Sequence, residues 1–228
     1  MEAVVLAGGL GTRLRQVVSD VPKVLAPVGD TPFLDIILSD LSRKGVKRVV
    51  LAVSYLKEQI IRHIERNDFG IQTDFSVEEE PLGTGGAIKR ACSLCTAERV
   101  FVVNGDTFFD VALSDMMKFS LAHEADITVA AKKMTDFDRY GTLGIEGDFI
   151  TGMKEKMPCP VGYINGGIYC LRRDFILNMP QEKFSFEKDV LEKSYAHGNV
   201  CAFISDGYFI DIGVPEDYER AKSELAKI

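Results

Sequence analysis

Three glycines fall inside the short tract Leu6-Ala7-Gly8-Gly9-Leu10-Gly11-Thr12-Arg13-Leu14, directly after an apolar run. Residues without a Cβ let backbone N–H groups come close to a phosphate, and Arg13 adds a cation to the same stretch. The spacing departs from the G-x-G-x-x-G of dinucleotide-binding turns, and the Gly-Lys-Ser/Thr ending of a P-loop is missing. An ordinary strand-to-helix turn also uses glycines, so the tract gains its meaning from its company. Pro22-Lys23 follows at a distance that a loop can fold back across, which brings a second cation toward the same phosphates. Asp106 and Asp211 stand in the turn-like tracts Asn104-Gly105-Asp106 and Asp211-Ile212-Gly213, and either alone reads as a turn or cap residue. Glu155-Lys156 alone reads equally as a solvated strand end or as a substrate contact. Glu187, in Ser185-Phe186-Glu187-Lys188-Asp189, reads equally as a substrate contact or as a helix cap. His63, His123 and His197 are scattered without metal spacing and read as surface residues. Cys92 and Cys95 have no second pair to complete a zinc site and face a core as small hydrophobes.

The elements that must position these residues alternate between short apolar runs and helical patterns through the first half of the chain, which predicts βαβ units and a mainly parallel sheet. Val4 to Leu6 is the first strand. Thr31 can cap a helix whose first position is Pro32, whose buried stripe is Phe33, Leu34, Ile37 and Leu41, and which ends at Gly45. A strand over Arg48 to Val53, a helix marked by Leu56, Ile60, Ile61 and Ile64, and a strand over Ile71 to Val77 follow. The pattern then gives a helix from about Gly86 to Cys95 and a fully buried strand over Arg99 to Val103 that turns at Asn104-Gly105. The second half is more mixed, with strands over Leu143 to Ile145, Phe149 to Met153 and Ile168 to Leu171, a helix through Phe186, Val190, Leu191 and Tyr195, strands near Val200 to Ile204 and Tyr208 to Ile212, and a last helix from Pro215. Ligands of open α/β sheets sit beyond the carboxyl ends of the strands, so the loops after Leu6, Val103 and Ile212 are where chemistry is expected.

The 228 residues suit one α/β domain with a substantial core. Hydrophobic residues at 46% and charged residues at 27% exclude disorder. The formal charge of −7 repels phosphate backbones and no basic stripe offsets it, so no nucleic-acid partner is expected, and an anionic ligand must meet a local cluster of cations. No apolar run reaches membrane-spanning length and no basic region precedes the first apolar stretch, which predicts no membrane association and a cytoplasmic protein. A homo-oligomer is compatible with all of this.

Taken in order, these tracts resemble the sugar-1-phosphate nucleotidyltransferases, and the resemblance runs along nearly the whole chain. It joins the glycine tract with Arg13, Pro22-Lys23, Glu80-Pro81-Leu82-Gly83-Thr84-Gly85-Gly86-Ala87, the Asp106 turn, Glu155-Lys156, Asn165-Gly166-Gly167-Ile168-Tyr169 and the Asp211 turn. It implies a single Rossmann-like nucleotidyltransferase domain over 1–228, a mainly parallel mixed sheet flanked by helices, with a nucleotide-binding part over about 1–110 and a sugar-phosphate part over about 111–228. Arg13, Lys23 and Asp106 are the implied catalytic residues. The nucleotide would meet Leu6, Ala7, Gly8, Gly9, Gly11, Thr12, Arg13 and Lys23, with Glu80, Pro81, Gly83, Thr84 and Gly85 around the base. The sugar phosphate would meet Gly144, Glu155, Lys156 or its neighbour Lys154, Asn165, Gly166 and Glu187. Asp106 and Asp211 would hold Mg²⁺, a hard cation suited to carboxylates and phosphates.

The implied reaction is an in-line displacement at the α-phosphorus of a nucleoside triphosphate by a sugar 1-phosphate. It needs charge neutralisation and positioning. It needs no general base, because a phosphate monoester with a second pKa of about 6 is already largely dianionic at neutral pH. Within the family, Glu80 to Ala87 and Asn104 to Asp110 look most like the bacterial D-glycero-α-D-manno-heptose 1-phosphate guanylyltransferases, which serve capsule or surface-layer glycans. GTP and that heptose 1-phosphate are therefore the expected substrates. Mannose-1-phosphate guanylyltransferases and short uridylyltransferases carry similar glycine-rich segments, whereas the thymidylyltransferase branch carries a glutamine-rich one in place of Leu82-Gly83-Thr84. A catalytically inactive sugar-nucleotide sensor is the rival of another class, and the presence of Arg13, Lys23, Asp106 and Asp211 together argues for the enzyme. The end of the chain soon after the Pro215 helix predicts no second catalytic domain.

Overall fold

The computed structural model describes residues 1–9, 11, 14, 21–195 and 199–225. Thirteen strands run through them: β1 (Glu2–Leu6), β2 (Pro27–Val28), β3 (Thr31–Pro32), β4 (Arg48–Val53), β5 (Gln72–Val77), β6 (Arg99–Asn104), β7 (Thr107–Phe109), β8 (Ile127–Phe137), β9 (Thr142–Glu146), β10 (Phe149–Lys154), β11 (Cys159–Arg172), β12 (Val200–Ser205) and β13 (Phe209–Asp211). Nine of them form one sheet in the order β5-β4-β1-β6-β11-β8-β12-β10-β9, while β2 pairs with β3 and β7 with β13 in small ribbons. Parallel pairing joins β5, β4, β1 and β6, and also β8 and β12; the remaining contacts are antiparallel. Followed across the sheet, these pairings leave only β11 and β10 opposed to the other strands, so the expected mainly parallel mixed sheet is what forms.

The apolar runs of β1, β4 and β6 explain their central place, because alternate residues of a strand face opposite sides and both sides here are covered. Val4, Val50 and Val102 enter one core with Ala87, Ile88, Ala91 and Cys92 of α3 (Gly83–Ser93). Ala3, Val5, Val49, Leu51, Phe101 and Val103 enter the other, with Phe33, Leu34, Ile37 and Leu38 of α1 (Phe33–Arg43). Helices α2 (Lys57–Arg66) and α4 (Leu113–Ala122) contribute to the second core through Ile60, Ile64, Leu113 and Met116, and α7 (Pro215–Glu224) through Tyr218 and Ala221. Ile176 of α5 (Arg173–Leu177) and Phe186, Val190 and Leu191 of a π-helical segment, Phe186–Leu191, contribute to the first, and the short α6 (Glu192–Ser194) continues that segment. Cys92 and Cys95 are buried, as their helical spacing predicted.

Three local expectations are corrected. Thr31 does not cap α1: it lies in β3, paired with Val28, and no side chain caps that helix. Helix α3 begins at Gly83, three residues before the expected start, because its glycines pack against the chain at Phe184 instead of forming a loop. The helix expected through Phe186 opens as a π-turn, its N-cap being Ser185, whose hydroxyl accepts from Lys188 N–H. Asp189 accepts from Ser185 N–H at 2.9 Å, so Ser185 and Asp189 do the capping that Glu187 was equally expected to do.

Candidate active site

The carboxyl ends of β1, β4, β5 and β6 meet around a cavity of about 370 Å³, within the size range of small-ligand sites. After β1 it is lined by Gly8 and Gly9 beside Leu6. After β4 it is lined by Ser54, after β5 by Glu78, and at the end of β6 by Asn104, Gly105 and Asp106. Lys23 and Val24 close one side, Pro81, Gly83, Thr84 and Ala87 another, and Glu187 reaches in from the π-helical segment. Of the expected nucleotide residues, Leu6, Gly8, Gly9, Lys23, Pro81, Gly83 and Thr84 thus come together. Ala7 is buried with its N–H on Ala52 O at 2.8 Å, and Gly11 backs onto the Lys23 side chain. Glu80 is exposed and outside the lining. Thr12 and Arg13 lie outside the described residues, as does His197.

Lys23 is fixed by a 3₁₀ turn, Lys23–Leu25, and its ammonium lies 2.6 Å from Asp106 Oδ2. The ammonium side chain is 10% exposed and the carboxylate 38% exposed, so the pair forms at the wall of the cavity. Asp106 is placed by the turn after β6, where Gly105 N–H donates to Leu6 O at 3.0 Å. Asp211 ends β13 opposite Thr107, and Ile212 N–H donates to Asp106 O at 2.9 Å, which sets Asp211 beside the turn that carries Asp106. Asp211 Oδ1 accepts from Gly213 N–H at 2.6 Å. Two carboxylates so held are an all-oxygen donor set that fits a hard divalent cation such as Mg²⁺. Asp211 also lines a second cavity, of about 310 Å³, with Arg139 and Tyr140 and with Glu216 and Asp217 of α7.

The start of α3 is tied to the sugar-side half of the chain. Gly83 has φ +74, and a Cβ there would lie 2.5 Å from Phe184 O, so only glycine fits. Gly85, expected around the base, is outside the lining, and its N–H donates to Phe184 O at 3.0 Å. Thr84 Oγ1 accepts from Phe186 N–H at 2.9 Å and donates to Glu187 Oε2 at 2.8 Å. Glu187, expected on the sugar phosphate, is therefore held at the wall of the same cavity as the nucleotide residues.

The other expected sugar-side residues lie outside that lining. Gly144 sits in β9 opposite Gly152, Glu155 and Lys156 are exposed after β10, and Asn165 and Gly166 occupy an irregularity in the pairing of β11 with β8. Asn165 is internally held, its Nδ2 donating to Tyr169 Oη at 2.9 Å and its Oδ1 accepting from Gly167 N–H at 3.0 Å. Full burial pushes the Tyr169 phenol far above its ordinary range and keeps it neutral. His63 pairs with Asp35 and His123 with Asp148, and both, expected on the surface, are half-buried. Ser54 and Glu78 are the polar lining residues that the sequence reading missed, beside the apolar Val24 and Ala52; the only signal for the polar pair was their place one residue past a strand, after Val53 and Val77.

Residues 2–228 match the family model described as nucleotidyl transferase. The chain is 45% identical over 226 residues to the D-glycero-α-D-manno-heptose 1-phosphate guanylyltransferase of Aneurinibacillus thermoaerophilus, covering 99% of this chain and 98% of that protein. It is 48% identical over 220 residues to the protein of the same name from Campylobacter jejuni subsp. jejuni serotype O:2, covering 96% and 97%. The crystal structure of HddC from Yersinia pseudotuberculosis complexed with GMP-PN superposes with a TM-score of 0.90 at 39% identity, over 98% of this chain and 99% of that one.

Proposed function

The chain belongs to the nucleotidyl transferase family, and from that premise we infer that it transfers GMP from GTP to D-glycero-α-D-manno-heptose 1-phosphate, giving GDP-heptose and pyrophosphate. The observation that carries the reading is the cavity at the strand ends, where Lys23, Asp106, glycine backbone and the start of α3 converge, in a chain that matches heptose guanylyltransferases along almost its full length. A sugar-phosphate oxygen attacks the α-phosphorus of GTP, the bond from that phosphorus to the β-phosphate oxygen breaks, and pyrophosphate leaves with the electron pair. The attacking phosphate is already anionic, so no side chain has to remove a proton. Lys23, released from Asp106, neutralises charge on the α-phosphate and the departing pyrophosphate, and Arg13 grips the triphosphate. Asp106 and Asp211 would hold Mg²⁺, which supplies further charge neutralisation to the phosphates when bound.

Glu155, Lys156, Asn165, Gly166 and Gly144 serve the sugar phosphate in this reading, and Glu187 stands between the two substrates beside Thr84. The reaction belongs in the cytoplasm, where nucleoside triphosphates are available. No helix of the described residues is long and apolar enough to cross a membrane. The test is a pyrophosphate-release panel crossing GTP, UTP, dTTP, CTP and ATP with heptose, mannose, glucose and N-acetylglucosamine 1-phosphates. The highest kcat/KM is expected for GTP with the heptose. Equal or better values for mannose 1-phosphate would move the protein to the mannose enzymes, and a preference for UTP would remove the guanylyl assignment.

A further inference from the structure

Ser54 stands one residue past β4, at the wall of the cavity. Its backbone is anchored by Lys57 N–H, at the start of α2, which donates to Ser54 O at 3.3 Å. Serine hydroxyls commonly bond to their own neighbouring backbone. This one reaches 46 positions along the chain and donates to Gly8 O at 2.9 Å. The two residues are fitted to each other, since a Cβ at Gly8 would lie 2.8 Å from Ser54 Oγ. A trans peptide is planar, with its C=O and N–H directed oppositely, and no peptide among the described residues is cis. Holding Gly8 O toward Ser54 therefore turns Gly9 N–H away from β4. Because β1 lies between β4 and β6, that is the side of β6 and of the Lys23 and Asp106 pair. Gly9 is exposed at the cavity, a Cβ there would meet nothing within 4 Å, and its N–H donates to no acceptor among the described residues.

We propose that Ser54 is a positioning residue: its hydroxyl locks the plane of the peptide between Gly8 and Gly9 so that Gly9 N–H, and not Gly8 O, faces the triphosphate. The inference rests on the nucleotide-binding reading above and names the group that orients the glycine tract. The freedom that lets glycine backbone approach a phosphate is also a hazard, because a peptide between two residues without Cβ atoms rotates with little resistance. Flipped, the same unit would present a carbonyl oxygen to an anion. A donor fixed before the ligand arrives needs no reorganisation when charge appears beside it, and successive backbone N–H groups so held form an anion-binding surface. With the hydroxyl gone, one aimed donor becomes a mixture of donor and acceptor, and a phosphate is the part of the nucleotide that senses the difference.

The test compares a nucleotide with its bare nucleoside. Dissociation constants for GTP and for guanosine are measured by calorimetry on the unmodified protein, on Ser54→Ala and on Ser54→Cys, which keeps the shape of serine but donates weakly. Both variants should bind GTP about threefold to tenfold more weakly, the size of one lost hydrogen bond, and should bind guanosine as the unmodified protein does. Equal weakening of GTP and guanosine would mean a contact with the nucleoside or a loss of packing, and would overturn the proposal. So would GTP binding by Ser54→Cys at the unmodified strength, since shape and not the hydrogen bond would then be what matters. A second measurement needs no variant: in the ¹⁵N spectrum of the unmodified protein the Gly9 amide should shift when GTP is added and stay in place when guanosine is added. An amide that ignores GTP would overturn the proposal while leaving the guanylyl reaction standing. A preference for UTP over GTP would remove the guanylyl reading alone, and the same comparisons of UTP with uridine would then decide the role of Ser54.

Discussion

Lys23 and Asp106 stand 83 positions apart in the sequence and 2.6 Å apart in the fold. In the proposed reaction, phosphate would compete with Asp106 for the charge of Lys23. Binding energy would then be split between breaking the pair and gripping the triphosphate, whereas a transition state with more charge on the departing oxygens would receive the lysine's full effect. Lys23→Ala should therefore lower kcat by about 100-fold or more, in the range seen for lost electrostatic stabilisers, and raise KM for GTP by less. Steady-state kinetics at saturating heptose 1-phosphate separates the two. An unchanged kcat with only KM raised would make Lys23 a ground-state binding residue and end its proposed catalytic role. Asp106→Asn should nearly abolish turnover, and combining the two changes should cost less than the sum, because each single change already leaves the other group without its partner. Residues of this kind were legible in the sequence because their types are unusual where they stand: glycines after a strand, a lysine after proline, aspartates in tight turns. Ser54 and Glu78 were not, since a serine and one glutamate of three in a row acquire meaning only from the strand ends that aim them.

At the scale of elements, the start of α3 and the chain around Phe184 form one joint. An added Cβ at Gly85 would sit 2.2 Å from the Phe184 ring. Helix propensity alone favours alanine over glycine by about 1 kcal/mol, yet overpacking of this severity costs roughly 1–3 kcal/mol and displaces backbone. The steric effect wins. Gly85→Ala should lower the thermal midpoint and raise KM for GTP together, because the same displacement disturbs Thr84, whose hydroxyl joins Phe186 N–H and Glu187. A variant with a higher midpoint and unaltered KM would show that the joint is slack and has no part in holding the site. This joint also explains what the sequence hid. A run of glycines reads as loop because helix propensity is a local property, and only Phe184, a hundred residues away, makes it the first turn of a helix. Helix α4 and strand β8 were missed for a related reason. The apolar run of β8 leads into the charged Lys132 and Lys133, and the strand is defined by β11 and β12 on either side of it. Strands β1, β4 and β6 were legible because continuous burial forces continuous apolarity.

For the molecule as a whole, the near-uniform direction of the sheet divides labour between its two edges. The carboxyl ends of β1, β4, β5 and β6 hold the cavity and the groups proposed for chemistry. The amino ends hold a polar knot instead: Glu2 at the start of β1 accepts from Arg48 at 2.8 Å and from Thr96 N–H at 2.7 Å, and Arg48 also donates to Asp74 of β5 at 2.7 Å. Stability at one edge and function at the other should then be separable by experiment. Burial alone would raise the Glu2 carboxyl, but the bonds from Ala97 N–H, Arg48 and Thr96 N–H outweigh it and hold the group below its ordinary value. A carboxylate whose folded pKa is depressed adds stability that is present above its unfolded value, about 4.3 for glutamate, and is lost as pH falls through the folded one. The unmodified protein should therefore lose stability below about pH 4.5, and Glu2→Gln should lose less over that interval. Near neutral pH the same variant should be less stable by roughly 1–3 kcal/mol, since Arg48 forfeits a charged partner and two N–H groups keep only a neutral acceptor. Thermal midpoints of both proteins between about pH 3 and pH 7, with kcat/KM at neutral pH alongside, provide the measurement. Parallel pH profiles would remove Glu2 from the account of acid stability. A fall in kcat/KM at a temperature where the variant remains folded would show that the amino-end knot reaches the cavity, and the division between the two edges would not stand.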